Sequence, residues 1–262
     1  MAEITQEALD KIISRLDQLE HQNAMLKARA ECMNVTMKYF HYHQCIRDDL
    51  VLKECWARKS PGIHSEHGAS GVYEGYDHVA KFHVDRPKAP GKLLFHSITT
   101  PVIEVADDLK TAKGIYLLQG FESGVIKEGA LAEMFVSKEP AVDGKKVWAH
   151  WAFAKYGIDY ILEDGQWKIW HFHAYDLTRA TFDKNWVSLS QQTAAENAKA
   201  AAEGNGEAPN KMMYFDDTHV EYLPKADKPT TYHFNYDGMN SQIELFPPMP
   251  HPYSTIAETF EY

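Results

Sequence analysis

The chain has 262 residues, a net charge of −10 and 44% apolar and 12% aromatic side chains. That is enough for one substantial domain with extensions, or two small ones. The acidic balance argues against a nucleic-acid partner, because a polyanion calls for a basic surface, and against an anionic membrane surface. No apolar run reaches spanning length, and the opening MAEITQEALDKI lacks the basic-then-apolar pattern of a secretory leader. Cys32, Cys45 and Cys55 form no CxxC pair. So sparse and odd a set implies reduced thiols in a cytoplasm, most simply as small buried apolar residues.

In chain order, residues 6–40 predict a helix. Leu9, Ile12, Leu16, Leu19, Asn23 and Leu26 recur at alternating spacings of three and four, the seam of a coiled coil with one polar member that can fix register between chains. A surface helix packed on its own domain is the alternative. Residues 48–59 suggest a second helix, and Asp48-Asp49 its start. Between Ser60 and Gly75 the chain turns irregular, with Pro61, Gly62, Gly68, Gly71 and Gly75; Tyr76–Val84 reads as a short helix that Pro87 and Pro90 end. Leu93–Val105 and Thr111–Glu122 are strands by their β-branched and apolar content, with Asp107-Asp108 at the turn. Residues 124–131 read as a loop, 132–136 as a strand piece and 140–145 as a turn.

Val147–Tyr175 predicts two long strands joined at Glu163-Asp164-Gly165-Gln166. Alternation puts Trp148, His150, Ala152, Ala154, Tyr156 and Ile158 on one face and Ala149, Trp151, Phe153, Lys155 and Asp159 on the other. Aromatic walls with a few protonatable groups suit a pocket for a ringed ligand. Residues 188–210 hold an Ala-rich helical half and a linker. In the tail, Tyr232, Phe234 and Tyr236 alternate like a strand, and PPMPHPY can be neither helix interior nor central strand. Such an arm lies across the main domain or a neighbouring subunit. Helices followed by antiparallel strands give an α+β fold with helices packed on one face of a curved sheet.

The chain has 14 histidines, with His-x-His pairs at His41/His43 and His171/His173. The strand pair shares a face and could coordinate a metal together, whereas the helical pair could not. No HExxH and no Cys-His set of zinc spacing appears, so no metal is expected. His96 lies mid-strand, and Tyr39 and His43 share a helix face. Histidine suits proton transfer near neutral pH. Glu122 and Asp159 are mid-sheet carboxylates that act as bases if buried and as solvated outer-face groups otherwise. No nucleophile elbow, phosphate-cradling loop or dinucleotide fingerprint is present.

The segments MKYFHYHQCIRDD, GVYEGYDHV, FHSITTPVIEV, AKGIYLLQGF and YGIDYILEDGQWKIWHFH, in this order, resemble the SnoaL-like branch of the nuclear transport factor 2-like superfamily. That branch includes scytalone dehydratase and bacterial bile-acid dehydratases. The resemblance covers about residues 30–186, and EDGQWKIW is its sharpest match. It implies a cone-shaped α+β barrel, a strongly curved antiparallel sheet wrapped round helices with a deep pocket. It divides the chain into an oligomerising helix (1–30), the barrel domain (31–186) and a helix, linker and aromatic Pro-rich arm (187–262). It also implies cofactor-independent acid–base chemistry by His96, Tyr39, Tyr116 and His150. Contacts to a hydroxylated aromatic or polycyclic small molecule fall to His43, Tyr156, Leu118, Glu122, Trp170, Phe172 and Trp148. In this register Lys168, Trp170 and Phe172 face inward, His171 and His173 outward. The N-terminal seam and the aromatic tail point to a homo-oligomer, and the relatives that the resemblance brings in form dimers and trimers.

Two departures stand out. The acidic strand position of the bile-acid enzymes falls at Gly120, with Gln119 and Glu122 nearby, and the family's helix Asp falls at Gln44, Cys45 or Ile46. Either the acid has moved to Glu122, Asp48 or Asp159, or the reaction differs. The expected activity is a lyase that removes water. Alternatives are a retro-aldol-type carbon–carbon lyase releasing an aldehyde through a quinone-methide-like intermediate, an isomerase, and a non-catalytic ligand-binding module.

Overall fold

The computed structural model describes residues 5–67, 71–84, 92–125, 147–181, 185–188, 224–231, 236 and 246–262. Thr5 caps a long helix, α1 (Gln6–Gln44), its hydroxyl accepting from the Ala8 amide. A short helix, α2 (Asp48–Leu50), runs into a π-helical turn at Val51–Cys55. The strands are β1 (His64–His67), β2 (Gly71–Glu74), β3 (Leu93–Val105), β4 (Thr111–Val125), β5 (Val147–Glu163) and β6 (Gln166–Thr181), with α3 (Tyr76–Val84) between β2 and β3. They form one sheet in the order β2-β1-β6-β5-β4-β3. α1 packs against both β3 and β6, which two strands separate, so the sheet curls round the helix.

The α+β cone is the predicted fold, with one difference: β1 pairs parallel to β6, so the sheet is mixed rather than antiparallel throughout. β1 and β2 lie in the stretch that reads as irregular. Their polar sequences, HSEH and GVYE, carry little strand signal, and pairing with β6 and with each other makes them strands. The second helix stops at Cys55, and Trp56 bridges to Ile169 in extended form. β4 continues through Gly124 to Val125, where a loop was expected. The strand piece at 132–136, the turn at 140–145, the Ala-rich segment from 189 and the alternation at Tyr232 and Phe234 lie outside the described residues.

The β5–β6 turn forms where predicted. Asp164 and Gly165 both have positive φ, 52° and 73°, which a two-residue hairpin of this hand requires. β6 carries two bulges. Asp159 pairs with His171 and Tyr160 with Ile169, leaving Trp170 as an extra residue; Leu177 is extra in the same way opposite Phe153 and Ala154. The inner face of the sheet presents Tyr116, Leu118, Ala154, Tyr156, Ile158, Tyr160 and Phe172 to α1. Of the cysteines, Cys32 and Cys55 are buried there and Cys45 is exposed. Burial pushes the Cys55 thiol up to about 12, so it is inert at neutral pH.

The outer face is covered in part. Residues 246–262 cross it. Asp107 N donates to Tyr253 O (3.0 Å), Lys155 Nζ to Phe246 O (2.6 Å) and Tyr262 N to Asp159 Oδ2 (2.9 Å). The Tyr262 ring lies on Gly157, where any Cβ would stand 2.3 Å from Tyr262 Cδ1. Beneath it Asp159 accepts from Lys113 Nζ (2.5 Å) and His171 Nδ1 (2.9 Å), with all three side chains buried.

A second strap, residues 224–231, is held by Glu66, which accepts from Thr230 Oγ1 (2.5 Å), Thr231 N (2.6 Å) and Thr231 Oγ1 (2.8 Å) and pairs with His173 Nε2 (3.2 Å). Burial works to raise the Glu66 carboxyl, but the bond and charge of His173 and the threonine hydroxyls outweigh it and hold the group at about 2, from a usual 4.5. The unfolded chain therefore takes up this proton at a higher pH than the folded one. The stabilisation is complete above about pH 4.5 and is lost as pH falls toward about 2. Amide exchange at Thr231 should accelerate across that window in the native chain and lose that pH dependence in Glu66→Gln. Unchanged protection at pH 3 would show that the clamp does not depend on the charge.

Candidate functional site

Three adjacent strands bring an imidazole, a carboxylate and a second imidazole into one row on the inner face. In register, His96 on β3 pairs with Gly120 on β4, and Glu122 on β4 pairs with His150 on β5. His96 Nε2 lies 2.9 Å from Glu122 Oε1, and His150 Nε2 lies 3.8 Å from the same oxygen. All three are buried. Gly120 makes the first contact feasible. A Cβ there would meet Phe95 O at 2.1 Å and His96 Cδ2 at 3.1 Å, so a bare Cα lets the imidazole lie across β4 and reach the carboxylate two residues on.

The end of α1 closes over this row. The helix stops at Gln44, Ile46 takes a positive φ of 53°, and the chain turns so that buried Asp48 accepts from His43 Nδ1 at 2.8 Å. The His43 and His96 rings lie 5.6 Å apart, and Gln44 Nε2 donates to His96 O (2.8 Å), tying helix to strand. Phe40, Tyr156, Phe172 and Tyr39 make an aromatic wall beside them: Phe40–Tyr156 5.3 Å, Tyr156–Phe172 5.0 Å and Tyr39–Phe172 5.1 Å between ring centres. Leu118 is buried on the same face, paired with Ile98 and Ala154.

A second polar group lies beyond Tyr39. His83 Nδ1 donates to Val79 O (2.7 Å), which fixes its tautomer, so Tyr39 OH donates to His83 Nε2 (3.0 Å). His67 stacks on Phe82 at 3.9 Å and lies 5.4 Å from Phe172. Trp56 Nε1 and Ser65 Oγ are buried there with no hydrogen-bond partner among the described residues. Sequence reasoning did not single out His67, His83, Trp56 or Ser65. The one available signal was Val79 and His83 four apart on a nine-residue helix.

Several expectations change. Tyr116 is on the inner face, but its hydroxyl meets Tyr160 OH (2.7 Å), which in turn meets Thr36 Oγ1 on α1 (2.5 Å). Four residues of strand separate Tyr116 from Gly120, about 13 Å, so it belongs to a helix–sheet tie rather than to the His96 row. Burial also pushes its phenol up to about 12, ahead of the lowering bonds from Thr36 and Tyr160. Trp170 and Lys168 do not face inward. The bulge at Trp170 shifts parity, so Trp167 and Ile169 take the inner face below it and Phe172 above it. Trp170 Nε1 donates to Pro61 O (2.7 Å), its ring lies 3.9 Å from His171, and Lys168 Nζ donates to Glu54 O (2.6 Å). His171 and His173 lie on the outer face, buried against separate carboxylates, Asp159 and Glu66. Trp148 pairs with Gly124 in the strand, but its side chain lies outside the described residues. Of the three acids the sequence left open, Glu122 meets His96, Asp48 meets His43, and Asp159 serves the outer face.

A curved sheet wound round a helix, with protonatable and aromatic side chains on its concave face, is the nuclear transport factor 2-like architecture. Residues 24–173 match the SnoaL-like domain, and the chain belongs to that family. Among solved structures it is similar to a candidate scytalone dehydratase from Novosphingobium aromaticivorans DSM 12444 (11% identity, 63% of this chain and 93% of that one, TM-score 0.47). It is similar also to the LinA-type3 hexachlorocyclohexane dehydrochlorinase of Novosphingobium barchaimii LL02 (15%, 63% and 96%, 0.45). A third is a nuclear transport factor 2-like superfamily protein of Salmonella enterica serovar Typhimurium LT2 (11%, 61% and 97%, 0.43). No curated protein matches the chain. Among the described residues, no helix is long and apolar enough to cross a membrane, and no group of three or more His, Cys, Asp or Glu is arranged to hold a metal ion.

Proposed function

We propose that this protein is a cofactor-independent lyase that removes water from a hydroxylated aromatic or polycyclic small molecule. Its compartment is the cytoplasm and its working form a homo-oligomer. The observation that carries the reading is the buried His96–Glu122 pair, 2.9 Å apart on the inner face beside Phe40 and Tyr156. With Nε2–H donated to the carboxylate, the neutral ring keeps its lone pair on Nδ1, the nitrogen of a general base. Glu122 stabilises the imidazolium once Nδ1 takes a proton from the substrate. The electron pair released forms the new double bond, the C–O bond breaks, and the imidazolium returns its proton to the departing hydroxide so that water leaves. The aromatic wall suits a ringed substrate. Trp56 Nε1 and Ser65 Oγ, both donors, suit a carbonyl or hydroxyl at its far end.

The test is a panel of hydroxylated aromatic and polycyclic compounds incubated with wild type and with His96→Ala, read by mass spectrometry for loss of water. Dehydrated product with wild type and none with a folded variant supports the reading. Aldehyde release would redirect it to carbon–carbon cleavage. Saturable binding with no product from any bound compound would leave a ligand-binding module and end the enzyme hypothesis.

A further inference from the structure

α1 has two working faces. Its domain-facing residues are Ala28, Cys32, Thr36, Tyr39, Phe40 and His43, all toward its C-terminal end. The seam of Leu9, Ile12, Leu16, Leu19, Asn23 and Leu26 continues at the same spacing through Ala30 and Met33. Ala28 and Cys32 fall on the side of the helix opposite this seam (heptad positions f and c, with the seam at a and d). The domain therefore leaves the seam uncovered: its leucines, isoleucine and methionine are 38–63% exposed, and Asn23 and Ala30 are also exposed. From Thr5 to Glu20 every residue but Ala8 is exposed. At its lower end the seam meets an open groove of about 360 Å³ between Leu26, Ala30 and Met33 of α1 and Pro101 and Val102 of β3. The apolar strip runs from Leu9 to Met33, about 36 Å of helix.

We infer that this face is covered by α1 of a second copy of the chain, the two helices running parallel and in register as a two-stranded coiled coil. Charge and polarity choose the partner and its direction. Parallel, Asn23 meets Asn23 of the second copy, so each amide gains a partner, and a buried Asn at this position favours two strands. Arg15 (position g) faces Glu20 of the second copy (position e), an attractive pair formed twice. The other flanking pairs, Ala8 with Ile13, Gln22 with Lys27 and Arg29 with Asn34, bring no two charges together. The antiparallel alignment that fills all eight seam positions would bury Asn23 against Leu19, without an amide partner. It would also bring Arg15 to Arg29 and Glu20 to Glu20, like charges on both flanks.

Light scattering on the full chain should give twice 29.9 kDa at micromolar concentration. Leu16→Glu with Leu19→Glu should halve that mass while the near-ultraviolet dichroism of the domain is retained. Arg15→Glu should weaken the dimer, and adding Glu20→Arg should restore it. In a Cys45→Ser background, Asn23→Cys should form an interchain disulfide under mild oxidation. A wild-type mass of one or three chains, or an unchanged dimer in the Leu16/Leu19 variant, overturns the inference. Dimers that never cross-link through position 23 overturn its parallel register.

Discussion

Replacing Asp159 with alanine should cost about 3–5 kcal/mol of folding stability, the usual penalty for leaving a buried charge without its partner. Asp159 receives Lys113, His171 and the Tyr262 amide. Burial works to raise its carboxyl, but the His171 bond and the Lys113 charge hold it below the usual range, so it is ionised at neutral pH. Without it the fully buried Lys113 ammonium is left, among the described residues, to the rings of Phe260 (4.5 Å) and Tyr262 (4.9 Å). Aromatic faces return only part of the lost solvation, about 2 kcal/mol. Thermal unfolding should fall by roughly 10 °C for a chain of this size. Protease should reach the arm at residues 246–262 before it reaches the sheet. Replacing both partners with apolar residues, Lys113→Met with Asp159→Leu, should recover much of the loss, because no charge is then stranded. A single-variant loss below about 1 kcal/mol would mean that water enters beneath the arm and that the network is not sealed.

The second large effect is catalytic and rests on the proposed lyase chemistry. His96→Ala should lower kcat by about 10²–10⁴, the ordinary contribution of a positioned acid–base group. Glu122→Gln keeps the shape of the acceptor but removes the charge that steadies the imidazolium. It should lower kcat with little change in KM and move the acidic limb of the pH profile to lower pH, because the imidazolium loses its counter-charge. Because both act on one proton, the double variant should be scarcely worse than His96→Ala alone. Turnover within tenfold of wild type in His96→Ala would remove this imidazole from the mechanism and turn attention to His43, whose Nδ1 is held by Asp48.

Much of the architecture was legible because long strands advertise themselves. β3 to β6 carry β-branched and aromatic runs, and Asp164-Gly165 is a hairpin turn by chemistry alone. Parity put His150 beside Ala154 and Tyr156 within its own strand, and only the family resemblance grouped it with His96 on another. What parity could not supply was the bulge at Trp170, where one unpaired residue inverts the assignment of everything on its far side. For that reason Phe172 could be assigned to the interior by counting, while Trp170 and Lys168 could not. β1 and β2 escaped notice because four-residue strands take their stability from neighbours rather than from their own sequence. The partner of His96 was left among three carboxylates, since which acid reaches an imidazole depends on room. Here Gly120 provides it, and nothing in a string of letters records the approach of the Phe95 carbonyl.

The family match ends at residue 173, yet the residue that covers Gly157 and Asp159 on the outer face is Tyr262. Trimming the protein to the shared scaffold would uncover the flat hollow at Gly157, shaped to a phenol ring. It would also wet an ammonium and a carboxylate that the fold keeps dry. In this chain Tyr262 works as a keystone set from outside the matched residues.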